Sequence, residues 1–364
     1  MGKYTAIDDP SAHFQATTYT GTNSSGNSIT NSGNSNLQPD MVWIKVRTYD
    51  NPHIIQDTSR GFAGNGEVNL LIPNTTDAEG TNGAFESFDS NGFTVGGTNP
   101  TSRAYNGSSD SYIAWQWKVN GGTTTSLSSN INSVCQVNQA AGISIVKYTC
   151  TGGGNGQSVQ HGLGLVPQVI ITKNRTDTSY SKWITYHHSL GYTNFVKLNE
   201  TAASAGSSPY NGAEPTSSTY NVSIDLVEAP KDYVSYVFAP IQGYSKFDSY
   251  IGNGSTNGRF IYTGFKPAFV LIKNASAVES WVVYDTARNA FNLTNLKLSP
   301  DTDDRENNNS AVGGAGYNDI DILSNGFKCR SNNAATNGSG NTIIYMAFAE
   351  NPFTTSTGVP TTAR

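Results

Sequence analysis

Apolar residues run along this chain in short bursts separated by clusters of Gly, Asn, Ser and Thr. Within a burst large and small side chains alternate, as in Tyr112-Ile113-Ala114-Trp115-Gln116-Trp117, Tyr233-Val234-Ser235-Tyr236-Val237-Phe238-Ala239 and Ile343-Ile344-Tyr345-Met346-Ala347-Phe348-Ala349. That alternation is what a half-buried strand requires, because successive side chains leave the pleat on opposite faces. No sustained three-and-four spacing marks an amphipathic helix, so helix is expected to be minor, with short candidates around 77–80, 284–289 and 301–307.

The bursts repeat. Pro39-Asp40-Met41-Val42-Trp43-Ile44-Lys45, Pro167-Gln168-Val169-Ile170-Ile171-Thr172-Lys173 and Pro267-Ala268-Phe269-Val270-Leu271-Ile272-Lys273 share a proline, a mostly apolar run and a lysine at one spacing. A Tyr-containing strand with a Gly turn precedes each, at Thr18-Tyr19-Thr20-Gly21, Lys147-Tyr148-Thr149-Cys150-Thr151-Gly152 and Ser249-Tyr250-Ile251-Gly252, and an aromatic-rich strand closes each. Copies two and three share Trp183-Ile184-Thr185-Tyr186-His187 and Trp281-Val282-Val283-Tyr284-Asp285. Copies one and three share Ser90-Asn91-Gly92-Phe93 and Ser324-Asn325-Gly326-Phe327. Asn-Gly between apolar segments predicts a type I′ hairpin. The expected fold is all-β, with three tandem β-sandwich modules of jelly-roll or concanavalin-like type and little helix. The expected modules are 1–120, 121–241 and 242–364, the second opening with a Gly/Ser/Thr-rich linker over 121–138.

These segments resemble a family of tailed-phage virion proteins, common in phages of marine bacteria and usually labelled virion structural or tail-fibre proteins of unknown domain type. The stretches that carry the resemblance are Tyr112 to Lys118, His161-Gly162-Leu163-Gly164-Leu165-Val166-Pro167, Gly243 to Tyr250, Gly264 to Val270 and Tyr345 to Phe353. They span nearly the whole chain. The resemblance implies a place on the virion, in a fibre, a spike or a capsid decoration, with no catalytic residues to carry over. The leading expectation is a non-enzymatic tail-fibre, spike or adsorption component that contacts the host surface. A capsid decoration or cement protein is the alternative, and a glycan-cleaving tail enzyme is disfavoured. Expected partners are other virion proteins, further copies of the chain with a trimer favoured, and a host surface glycan or protein receptor. Such a part is assembled in the host cytoplasm and resides in the virion.

Composition narrows the chemistry. Charged residues are 13% of the chain, about half the usual share, and the net charge is -5. No basic stripe is available to displace counterions, so nucleic acid is not an expected partner. No apolar stretch reaches the length of a membrane helix and no secretory leader pattern follows Met1, so membrane insertion is not expected.

No catalytic, cofactor or metal residue is assigned. The acidic run Asp301, Asp303, Asp304 and Glu306 reads as a solvated loop, with calcium the sharper alternative. His187 and His188, adjacent on a strand, are expected to face opposite ways. Gly152 to Gly156 reads as a hairpin turn and not a phosphate cradle. Cys135, Cys150 and Cys329 read as buried thiols, with a Cys135–Cys150 pair the alternative. Trp43, Trp183 and Trp281 are assigned to the core. Tyr49, Tyr105, Tyr180, Tyr210 and Tyr317 are the candidates for stacking on a receptor or glycan, because loops present rings to solvent.

Overall fold

The computed structural model describes residues 5–97, 103–150, 152, 154–178, 182–210, 212–223, 226–306 and 320–360. Its elements are almost all antiparallel strands. The short helices lie at Arg103–Asn106 and Ala334–Asn337, with 3-10 turns at Pro10–Ala12 and His188–Leu190. None of the three expected helical segments is helical over its described residues.

The sequence repeat becomes a repeated sheet. In unit 1 the strands run in the order Phe14–Thr20, Ser111–Trp117, Met41–Val46, Ile54–Asp57. In unit 2 the same order is Ile143–Cys150, Lys231–Phe238, Val169–Asn174, Trp183–His187, and in unit 3 it is Ser245–Ile251, Thr342–Pro352, Phe265–Asn274, Val282–Asp285. We call these the leading, closing, proline and fourth strands. Register makes the correspondence residue by residue: Met41 faces Trp117, Val169 faces Phe238 and Phe269 faces Phe348. A smaller sheet lies against each large one, formed by residues 27–30, 92–95 and 85–89 in unit 1, 157–160 and 219–222 in unit 2, and 260–262, 326–329 and 320–323 in unit 3.

Period-two alternation therefore serves two cores. One face of each large sheet packs on its own small sheet, with Val42, Ile44 and Tyr112 against Ile29 and Phe93 in unit 1 and Ile170, Tyr148 and Val237 against Val159 and Tyr220 in unit 2. The other faces of all three large sheets meet in one shared interior, where Trp43, Trp115, Ile171, Tyr236, Leu271 and Met346 come together. Phe348 of unit 3 lies 5.6 Å from Trp117, 5.4 Å from Phe14 and 5.9 Å from Phe238, ring centre to ring centre. Burial of both faces explains why the strands read as dense apolar runs.

Several local expectations are corrected. Residues 121–138 are not a free linker, because Thr125–Leu127 and Ser133–Asn138 are strands that extend the unit 2 sheet beyond its leading strand. The turn at Gly152 to Gly156 does not close a hairpin; like the Gly turns after Thr20 and Ile251, it carries the chain from the large sheet to the small one. Gly152, Gly154 and Gly156 take positive φ within such a crossing. The Asn91-Gly92 and Asn325-Gly326 hairpins form, but the two-residue turns are Ser90-Asn91 and Ser324-Asn325, neither with positive φ. The glycine is demanded by its neighbour instead. A Cβ on Gly92 would lie 1.9 Å from the Ile29 carbonyl oxygen, and one on Gly326 would lie 2.0 Å from that of Ile261.

Candidate functional site

The residues that the repeat singled out turn out to join the units. Lys45, Lys173 and Lys273 are fully buried, and each sends its ammonium into the unit beside it. Lys45 donates to the Asp303 carbonyl at 3.1 Å, Lys173 to that of Thr76 at 3.2 Å and Lys273 to that of Thr201 at 2.7 Å. Four residues upstream of each acceptor a second carbonyl is bound by a ring. His53 Nε2 lies 3.1 Å from Ser299 O, and Trp183 Nε1 and Trp281 Nε1 donate to Ile72 O at 3.0 Å and Lys197 O at 2.8 Å. One turn further on, the backbone N–H groups of Glu306, Glu79 and Ser204 donate to the carbonyls of Arg47, Arg175 and Ala275. The three interfaces are thus the same interface used three times, unit 1 onto 2, 2 onto 3 and 3 onto 1, closing a ring.

Two of the three add buried charge. Asp57 accepts from Arg60 Nε at 2.5 Å and from the Tyr236 hydroxyl of unit 2 at 2.8 Å. Asp285 accepts from Arg288 Nε at 2.6 Å and from Trp115 Nε1 of unit 1 at 3.0 Å. Glu79 and Glu306 complete the clusters, each taking one fully buried arginine and a bidentate one across the interface, Arg175 and Arg47 respectively. At the position of Asp57 and Asp285, unit 2 has His187, whose Nε2 meets the Tyr345 carbonyl at 3.2 Å.

Burial sets the titration of these groups. Desolvation lowers Lys45 and Lys273 to about 8 and Lys173 to about 7, against partial compensation from nearby carboxylates. Desolvation and the neighbouring His188 lower His187 to about 3, and desolvation with Lys45 drives His53 well below its usual value. His53 accepts from Trp43 Nε1 at Nδ1, so the neutral ring protonated at Nε2 fits both of its bonds.

The acidic run is solvated only in part: Asp303 is exposed, while its backbone carbonyl and Glu306 reach into the interface. Asp303 and Glu306 grip Lys45 and Arg47, and burial raises Asp301 to about 6 although the Trp281 N–H donates to it. Among the described residues no group of three His, Cys, Asp or Glu side chains is arranged to hold a metal ion. His188 leaves the strand in a 3-10 turn, so the His187 and His188 rings stack at 5.2 Å instead of pointing apart. Cys135, Cys150 and Cys329 are separate buried thiols, and the Cys135–Cys150 pair is not formed. Trp43, Trp183 and Trp281 are buried as expected.

The tyrosine candidates divide. Tyr49 is 42% exposed, with the Arg103 guanidinium 3.6 Å from its ring centre. Tyr105 and Tyr210 are buried at 0% and 1%, which removes them as surface contacts. Tyr105 packs 6.3 Å from Phe85, and the Tyr210 hydroxyl bonds Thr172 Oγ1 at 2.7 Å, so both plug a sandwich core. Tyr180 and Tyr317 lie outside the described residues.

A further pair of exposed aromatic rings lies in unit 3. On the small-sheet strand Phe260–Tyr262, Ile261 is buried while Phe260 and Tyr262 are 46% and 53% exposed. Together with Ile251, Lys246, Asp248 and Arg259 they line a groove of about 400 Å³ beside the unit 3 leading strand. Sequence reasoning overlooked Phe260 and Tyr262 because an aromatic-aliphatic-aromatic triplet reads as a strand with its rings inward. The usable signal was the aligned triplet of unit 1, Ser28-Ile29-Thr30, which shows the middle residue to be the inward one.

The fold thus defines a class: an all-β protein in which three sheet sandwiches close into a ring around a common core. Residues 9–352 match the model of a domain of unknown function, DUF7483, and the chain belongs to that family. No curated protein matches the chain, and neither does any solved structure.

Proposed function

We propose that this protein is a non-enzymatic structural component of a tailed-phage virion, placed in a tail fibre, spike or other adsorption part that contacts the host surface. The observation that supports this reading most is the closed ring of three equivalent interfaces. Rotational arrangement about an axis is how fibres and spikes are commonly built from separate chains, and here one chain supplies it internally. Buried Lys45, Lys173, Lys273, Arg60, Arg288, Asp57, Asp285 and His187 lie where units join, which suits a part under mechanical load. The neutral Ser, Thr and Asn of the exterior suit contact with protein or sugar. The resemblance of Tyr112 to Lys118 and Tyr345 to Phe353 to phage virion proteins points the same way.

Gold-labelled antibody on intact particles tests the reading, and label at the tail is the expected result. The threefold ring equally suits a threefold position on a shell, so label over the head alone would replace the fibre by a capsid decoration. Particles free of label would remove the proposal altogether. Expected partners are other virion proteins and further copies of the chain, as a trimer. A native mass of one chain would leave the internal ring as the sole source of threefold symmetry.

A further inference from the structure

We propose that the unit 3 groove is a binding site for an anionic saccharide, with Phe260 and Tyr262 as stacking platforms and Arg259 and Lys246 as the anion contacts. This deepens the host-contact reading and rests on it. The same groove occurs three times, as the space between the leading strand and the outermost strand of the small sheet.

In unit 2 the chain fills this space itself. Ser133–Asn138 pairs with the leading strand, and the Ile131 N–H and Ser129 hydroxyl donate to Ser158 O on the small sheet. In unit 1 the space is tied shut by neutral side chains. Gln15 bonds the Ser11 and Ser35 carbonyls, Thr17 bonds Asn31, and Asn27 bonds the Thr20 carbonyl and Asn106. In unit 3 the same positions carry Lys246, Asp248 and Arg259; Lys246 crosses to the Tyr262 carbonyl, and a groove remains beside that bond.

The solvent-facing positions change with them. Ser28, Thr30 and Thr20 of unit 1 correspond to Phe260, Tyr262 and Ile251 of unit 3, all of them exposed. Unit 2 likewise has Ser158 and Gln160 beside buried Val159. The fold therefore does not need aromatic rings here, and exposing two of them beside an aliphatic side chain has no structural return. Flat rings beside hydrogen-bonding side chains match a sugar, which offers an apolar C–H face and a rim of hydroxyls.

Charge selects the sugar class. Lys246 donates to the Tyr262 carbonyl at 3.0 Å and lies 3.6 Å from Asp248. The Arg259 guanidinium has no partner among the described residues, and Lys328 lies across from Phe260 on the neighbouring strand. In the groove lining Lys246 and Arg259 face one carboxylate, Asp248, while Lys328 on the neighbouring strand has Asp321 opposite it; the excess of cations in the lining favours a carboxylate- or phosphate-bearing sugar. A peptide strand added to the sheet edge fits less well. His188 Nε2 sits 2.9 Å from the Phe247 carbonyl, and Asp248 covers the Ser249 N–H at 2.8 Å, so the edge is blunted.

Calorimetric titration with tetragalacturonate, its methyl ester and a phosphomannan fragment tests this, the two anions separating carboxylate from phosphate recognition. Binding of at least one anion is expected, with an affinity loss of about tenfold or more in the double variant Phe260→Ser, Tyr262→Thr, whose residues are those unit 1 tolerates. Arg259→Asn should reduce the preference over the neutral ester, and adding Lys246→Gln should erase it. No binding of either anion at about 5 mM, binding unaffected by these variants, or tighter binding of an alternating Glu-Ala octapeptide would each overturn the site. Adsorption to host cells separates the two readings. If the wild type and the Ser/Thr variant adsorb alike, host contact stands and the groove falls; if the anion binds but neither protein adsorbs, the groove stands and host contact falls.

Discussion

A buried arginine held by one aspartate is a one-sided arrangement. Removing Asp57 leaves the Arg60 guanidinium, fully buried at its side chain, with Glu79 as its one remaining carboxylate partner and strips the Tyr236 hydroxyl of its acceptor. Asp57→Asn should therefore destabilise by about 3 kcal/mol or more, and Asp285→Asn by a similar amount, read from urea midpoints. Effects of similar size are expected because the Arg60 and Arg288 ion pairs correspond, although the third donor is a tyrosine hydroxyl in one cluster and a tryptophan N–H in the other. The interface lysines give the molecule a pH dependence of definite sign. Their folded-state values lie near 7 to 8, below the usual 10.5, so between those values the unfolded chain binds more protons and stability rises with pH. Each lysine contributes at most about 1.4 kcal/mol per pH unit in that window. Melting temperature should climb from about pH 7 to 9 in the wild type, and the climb should flatten in the triple variant Lys45→Met, Lys173→Met, Lys273→Met.

Within an element, identical sequence signals are satisfied by different physics. Gly92 and Gly326 sit just after their turns because the adjacent strand occupies the space of a side chain. Alanine at either should cost about 3 kcal/mol by forcing strands apart, whereas Gly64→Ala, with open space around the new Cβ, should stay within about 0.5 kcal/mol by thermal melting. The hairpin over 125–138 shows the converse. A polar, Gly/Ser/Thr-rich stretch becomes a sheet extension because Cys135 finds room in the unit 2 core and the leading strand offers an unpaired edge.

For the whole molecule, the shared interior governs behaviour. Phe269, Trp117 and Phe238 belong to different units yet one cluster, so the units should melt as one. Calorimetry should give a single transition, and separate transitions would mean that the shared interior contributes little. The two ends of the described chain also meet, since Asp8 accepts from the Ser356 N–H at 2.7 Å. A circular permutant that joins them through a short linker and opens between Gly121 and Gly122 should fold with a near-native far-UV spectrum. Deleting unit 3 should give an aggregating product, because it uncovers Trp115, Trp117 and Phe238.

The amino-acid pattern by itself determined the all-β class, the threefold repetition and the positions of the leading, proline and closing strands, because strand periodicity and internal similarity are local properties. It also determined that Trp43, Trp183 and Trp281 belong inside. The tertiary structure alone decided what the repeated lysine is for, since its acceptor lies on a loop of another unit with no sequence mark. The same holds for Tyr105 and Tyr210, placed on the surface by a loop argument and buried by the sandwich that closes over them. Phe260 and Tyr262 became visible as surface residues only once the register with Ser28 and Thr30 was known. A side chain's neighbours across a ring of three sheets are set by packing at long range, and that is information a single strand does not carry.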